Sequence, residues 1–144
     1  MIRKATRFDL PECVEIMRQY AAESPMLALA NPAAHNDDHG ESLLMSLIAG
    51  RGFVLIDDQY RGMLAAIVTS NIWCPSVVQV NEMAWWVDPA HRNGSVGGKL
   101  FVAFKREAEA LVKAGRAHVI CASLIHDGLT LKGFHKLETT YCKE

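Results

Sequence analysis

Several features are missing from this chain of 144 residues. No two of its four cysteines form a Cys-x-x-Cys pair, so neither a zinc knuckle nor a redox motif is present. Cys13, Cys121 and Cys142 fall in segments that read as helix or strand, where cysteine acts as a small buried hydrophobe, and reduced thiols are expected. No apolar run approaches the roughly 18 residues needed to span a bilayer, and the N-terminal stretch has no apolar signal core. The expectation is a soluble, cytoplasmic protein with no membrane partner. Charge of one sign is not in excess: the formal net charge is −1, which leaves no global field to hold nucleic acid. No repeat and no low-complexity tract interrupts the chain, and its length predicts one domain over residues 1–144.

The chain does contain alternating strand and helix patterns. Ile2 to Thr6 reads as a first strand. Asp9-Leu10-Pro11-Glu12 reads as a helix start with Asp9 as cap and Glu12 at the capping-box position. Cys13, Ile16, Met17 and Tyr20 follow as one helical stripe. Residues 24–36, broken by Pro25 and Pro32, read as a loop on the substrate side. Asp38 to Glu41 repeats the cap signature before a short helix that stops at Gly50. Strands are predicted over 53–56, 62–72 and 77–87. A helix with the stripe Leu100, Phe101, Phe104, Ala108 and Leu111 stops at Gly115. A buried strand over 117–124 and a last strand over 133–142 complete the order. A helix between two strands predicts that those two lie parallel, while the three strands before it form an antiparallel meander. The predicted fold class is α/β (α+β), a mixed and mostly antiparallel sheet with helices on both faces.

The richest segment is Val87-Asp88-Pro89-Ala90-His91-Arg92-Asn93-Gly94-Ser95-Val96-Gly97-Gly98. A strand ends, a turn of small residues follows, and an amphipathic helix begins. Small residues let main-chain N–H groups approach an anion, and the helix N-terminus adds unpaired donors and a positive dipole, which suits a pyrophosphate. The turn has neither the Gly-Lys-Ser/Thr close of a P-loop nor the Gly-x-Gly-x-x-Gly of a dinucleotide fold.

Strand, Val-Asp-Pro-x-x-Arg, small-residue loop and helix together resemble motif A of the GNAT N-acetyltransferases, whose pattern is Arg/Gln-x-x-Gly-x-Gly/Ala. Arg92 and Gly97 fill its outer positions, and Ser95 stands where the first glycine is usual. Ile2 to Thr6 followed by Asp9, and Gly133-Phe134 near the C-terminus, extend the resemblance over nearly the whole chain. The resemblance implies a GNAT-like fold, acetyl-CoA as cosubstrate, an amine acceptor on a small molecule or a protein, and frequent dimerisation. It also implies that the amides of Asn93, Gly94, Ser95, Val96, Gly97 and Gly98 bind pyrophosphate. Arg92 then supports the loop or touches a phosphate. The Val87 amide faces the thioester carbonyl as an oxyanion donor, and Ser123 lies near the pantetheine arm.

The acceptor amine must lose a proton before or during attack. Glu82 is the first candidate base, an ionisable residue in an otherwise apolar strand. Strict alternation puts Val80, Glu82, Ala84 and Trp86 on one face, where desolvation raises the carboxyl's pKa. The family's usual tyrosine acid, four residues before the Gly-Phe, is Leu129 here, and the stretch between Leu124 and Gly133 is short for the usual helix. His126 is the alternative proton donor. His35 and His39 do not share one continuous helix with a ligand face, so no metal is expected. Trp73, Trp85 and Trp86 are read mainly as packing residues. The leading function is acetyl transfer by direct attack in a ternary complex. The alternatives are a non-catalytic acyl-CoA-binding module and a cofactor-free interaction domain.

Overall fold

A computed structural model describes residues 1–124 and 130–144. The chain runs through β1 (Ile2–Lys4), α1 (Leu10–Ala22), α2 (Leu27–Ala30), α3 (Asp37–Ser46), β2 (Gly52–Asp57), β3 (Gly62–Ser70), β4 (Val78–Val87), α4 (Val96–Lys113) and β5 (Val119–Cys121). The strands lie in sequence order in a single sheet. The first four are antiparallel, and β5 joins β4 in parallel after the α4 crossover. The fold class is therefore the one predicted. Among the described residues no helix is long and apolar enough to cross a membrane.

Each face of the sheet carries its own core. On one face Leu10, Cys13, Val14 and Ile16 of α1, with Leu44 and Leu47 from α3 and the turn after it, pack on Val54, Ile56, Met63, Ala65, Ala84 and Trp86. On the other, Leu100, Ala103, Phe104 and Ala108 of α4 pack on Phe53, Leu55, Leu64, Ala66 and Val80. The alternating inward residues of β2 and β3 thus divide between two helical layers, as the period-two rule requires.

Local details differ from the sequence reading for physical reasons. Asp9 does not cap α1 with its side chain. Thr6 caps the preceding short turn, and Asp9 is the partner in that capping box. The Asp9 carboxylate takes a bidentate contact from Arg3 (2.9 and 2.7 Å), the Thr6 amide (2.8 Å) and the Tyr60 hydroxyl (2.7 Å). Tyr60 adopts φ of 55°, an uncommon conformation for a bulky residue, in the β2–β3 turn that this hydrogen bond holds. The second cap belongs to Asn36, which accepts from His39 N–H, so α3 begins before the predicted Asp38-to-Glu41 box. Gly50 reverses the chain after α3 with φ of 125°. The predicted last strand over 133–142 does not form: residues 135–144 are irregular, with Leu137 and Tyr141 exposed. Its anchor is Phe134, whose ring lies 5.6 Å from that of Phe101 on α4. The strand expected over 117–124 is confined to β5.

The Arg3 hydrogen bonds hold the buried Asp9 carboxyl well below the usual carboxylate range. Its contribution is complete above the unfolded-state pKa and is lost as pH falls. Asp9→Ala leaves the Arg3 guanidinium and the Tyr60 hydroxyl without their acceptor, and urea unfolding at pH 7 should register a loss of about 2–3 kcal/mol. Tyr60→Phe should cost about 1 kcal/mol. A loss under about 0.5 kcal/mol for Asp9→Ala would show that the network carries little stability.

Candidate functional site

The site grows from a defect in β4. Ala66 pairs with Glu82 and the next residue back, Ala65, pairs with Ala84, so Met83 is an extra residue without a partner on β3. Such a bulge inverts the alternation beyond it. Val80 and the cross-strand partner of Glu82, Ala66, lie in the α4-side core, whereas Ala84 and Trp86 lie in the α1-side core. The single face expected for Val80, Glu82, Ala84 and Trp86 is therefore split in two at Met83.

The bulge sits where β5 leaves. Parallel pairing ends at Asn81 with Cys121, and among the described residues no strand flanks that edge of β4 beyond that point. Glu82, the first residue past the ladder, reaches across the gap, and its Oε2 accepts from Ser123 N–H at 3.0 Å. Glu82 is only 9% exposed. Burial drives its carboxyl up to about 7 against the lowering effect of the Ser123 hydrogen bond. Tyr20 of α1 approaches the same place: its hydroxyl lies 3.4 Å from the Met83 carbonyl. Burial, and then the nearby Glu82 charge, raise the phenol's pKa.

The rest of β4 forms the open wall. Asp88 N–H donates to Arg61 O at 2.9 Å, so that pair is hydrogen-bonded and the preceding Val87–Gly62 pair is not. Antiparallel alternation then turns the N–H groups of Val87 and Trp85 away from β3, toward the edge that β5 has vacated. Gly62 permits this close packing, since a Cβ there would lie 2.9 Å from the Trp86 carbonyl. The Trp85 ring stacks on Phe101 of α4 with centroids 5.1 Å apart.

The turn at the mouth of α4 follows. Arg92 and Gly94 amides are used internally, by Pro89 O and His91 O. The amides of Asn93, Ser95, Val96, Gly97 and Gly98 have no main-chain acceptor among the described residues, and Ser95 makes no side-chain cap. A Cβ at Gly98 would meet nothing within 4 Å, and one at Gly97 only the Val87 side chain, at 3.4 Å, and the Trp85 indole. Five open donors at the positive end of an 18-residue helix form a fitting cradle for a pyrophosphate. Lys99 and Arg106 line a groove of about 570 Å³ along the outer face of α4 beside this turn.

Arg92 has another task. Its Nε donates to Val87 O at 2.8 Å, and its Nη2 donates to Glu23 at the end of α1 at 2.7 and 2.5 Å. Of the two roles the sequence left open for Arg92, loop support is the one its contacts describe. Glu23 was missed in the sequence. A carboxylate at a helix C-terminus opposes the helix dipole, and that local penalty was the available signal that a distant cation faces it. Trp73 lies exposed at the β3–β4 tip and does not pack as the sequence reading expected. His126 and Leu129 lie outside the described residues. No group of three or more potential metal ligands occurs among the described residues.

No family profile and no curated sequence matches the chain. Solved structures do. An aminoglycoside N-acetyltransferase in complex with CoA superposes with a TM-score of 0.66 at 16% identity, over 100% of this chain and 93% of that one. A GNAT family acetyltransferase from Staphylococcus aureus gives 0.61 at 12% identity, over 100% and 97%. A ribosomal-protein-alanine N-acetyltransferase from Brucella melitensis gives 0.63 at 21% identity, over 85% and 72%. These likenesses show that the chain has the GNAT fold.

The buried Glu82 makes a testable demand on stability. Its native pKa lies above the unfolded value near 4.3, so the native state holds the extra proton. Stability therefore falls as pH rises from about 4.5 to about 7 and levels above that. Glu82→Gln keeps an acceptor for Ser123 N–H and removes the charge. The stability of Glu82→Gln minus that of the parent, from urea titrations, should grow between pH 5 and pH 8 by up to about 3 kcal/mol. A pH-independent difference would mean that the carboxyl is not buried in solution.

Proposed function

We propose that this chain, built on the GNAT fold, transfers the acetyl group of acetyl-CoA to an amine by direct attack in a ternary complex. The observation that carries the reading is the pairing of an open β4 edge with an amide-lined helix mouth at its end. Amides 93 and 95–98 take the pyrophosphate. Main-chain groups of Trp85 and Val87 receive the pantetheine arm as a strand would be received. The Val87 N–H holds the carbonyl oxygen as it becomes an oxyanion.

The acceptor nitrogen bonds to the thioester carbon while its proton passes to Glu82, directly or through one water. Burial has already brought that carboxylate's affinity for a proton close to neutral pH. The carbon–sulfur bond then breaks, the amide forms, and the thiolate leaves to be protonated. Residues 24–36, which follow α1, form the acceptor side. The acceptor class is a primary amine on a small molecule or a protein.

A second reading, a non-catalytic acyl-CoA-binding module, is favoured by Leu129 at the usual tyrosine position and by the missing last strand. Calorimetry with CoA and a thiol-release assay over a panel of amines separate the two. The catalytic reading expects CoA binding and thiol release whose kcat/KM shows an ionisation near pH 7. Glu82→Gln should remove that ionisation and lower turnover by about 10²–10³-fold, with CoA affinity unchanged. Binding without release from any amine establishes the module. Turnover unaffected by Glu82→Gln removes Glu82 from the chemistry.

A further inference from the structure

The end of the sheet opposite the amide-lined turn has a chemistry of its own. β2 pairs with β3 no further than Ile67, and β5 pairs with β4 only from Gln79. The β3–β4 hairpin runs on past both neighbours, and its tip holds Ile72 and Trp73 at 85% and 87% exposure. From residue 62 to residue 81 the chain carries no charged side chain. The turn is tied to itself: Asn71 Oδ1 accepts from the amides of Trp73 and Cys74 at 2.9 and 3.1 Å. Asn71 N–H donates to Val77 O, and Val77 N–H donates to Cys74 O. Two large apolar side chains are thus held outward on a turn whose polar main chain is largely spoken for.

Cations flank this tip. Arg51 precedes Gly52, which pairs with Ile67 at the base of the hairpin. Lys113 ends α4, and Arg116 follows it, two residues before His118, whose N–H donates to Val78 O. All three cations are exposed, and none pairs with a carboxylate among the described residues. Segments 42–56 and 110–124, which bring them here, contain no acidic residue. Glu109, one turn back on α4, faces Lys105 at 3.8 Å. A net charge of −1 over the whole chain hides this local separation.

We propose that the β3–β4 tip and its collar of Arg51, Lys113 and Arg116 form a docking surface for an anionic lipid membrane. Trp73 and Ile72 enter the interfacial layer while the collar meets the headgroups. Two side chains on a convex tip fall far short of the roughly 800 Å² per partner that a stable protein interface buries. A lipid surface needs no such matching patch, and an internally bonded turn leaves few polar groups to desolvate. The lack of a helix able to cross a membrane bears on spanning, not on a tip that rests at the surface. The two ends of β4 are about 30 Å apart, so docking here leaves the amide-lined turn facing away from the bilayer.

Sedimentation of the full chain with phosphatidylcholine vesicles, with and without about one third phosphatidylserine, tests this. The wild type should bind the anionic vesicles about tenfold or more tighter than the neutral ones, and added salt should weaken that binding. The tip variant Ile72→Ser/Trp73→Ser and the collar variant Arg51→Gln/Lys113→Gln/Arg116→Gln should each lose about tenfold or more. Their side chains are exposed, so thermal melts should match the wild type. Brominated phosphatidylcholine in the anionic vesicles should quench part of the wild-type tryptophan emission, and Trp73→Phe should remove the quenched part. No binding to anionic vesicles, undiminished binding by the tip variant, or no quenching overturns the proposal. Self-association that the tip variant loses, without vesicle binding, overturns it in favour of a second copy of this chain.

Discussion

The site depends on the place where β4 and β5 part. A strand that stays paired along its whole length offers no ligand a main-chain edge. Here β5 stops at Cys121, β4 runs on to Val87, and the bulge at Met83 twists β4 just beyond the last pair. A gap between strands leaves main-chain donors without partners, which is costly inside a protein. At its inner end the Glu82 carboxylate satisfies the Ser123 amide across the gap. Burying a carboxylate is itself unfavourable, and the same burial brings its pKa into the range useful for proton transfer. One side chain thus props the gap and places a buried ionisable group in its wall. Structural role and proposed chemical role draw on the same desolvation.

The proposed donor side is made of backbone. Five amides at the start of α4 and two on the open edge of β4 do not depend on side-chain identity, only on the absence of bulk and on the path of the chain. A serine at position 95 therefore costs nothing in geometry: it stands at the helix start with its side chain uncommitted. This is consistent with the fold being shared with acetyltransferases at 11–21% identity. Side chains become decisive at the supports: Arg92 beneath the Val87 carbonyl, Glu23 behind Arg92, and Trp85 against Phe101.

Much of this could be read in the sequence because periodicity is a local signal. The α4 stripe, the antiparallel meander of β2, β3 and β4 and the parallel crossover all follow from spacing and turn residues, whereas the pairing of β1 with β2 shows only in the fold. The strand-to-turn-to-helix context located the amides. The bulge could not be read, because a bulge is a statement about register between two strands and leaves no mark in β4 alone. Assigning Val80, Glu82, Ala84 and Trp86 to one face therefore failed at Met83, although Glu82 itself was correctly singled out as a carboxylate among apolar neighbours. Asp9 misled for a related reason: an Asp-x-x-Glu pattern marks a cap locally, but Arg3, Thr6 and Tyr60 together outbid the helix N-terminus for its carboxylate. The 133–142 segment reads as a last strand, yet among the described residues the sheet ends with the three residues of β5, and Phe134 docks on α4 instead. Glu23 and Arg92 are 69 positions apart, so only folding could join them.

The account stands on main-chain hydrogens meeting a diphosphate at the mouth of α4, and amide chemical shifts followed by NMR during titration with free CoA observe those hydrogens directly. The amides of Asn93 and of Ser95 to Gly98 should show the largest saturable shifts, with Val87 and Trp85 next, and the internally bonded Arg92 and Gly94 should move less. Shifts that are absent, or confined to the outer groove of α4 around Val102 and Arg106, would contradict it.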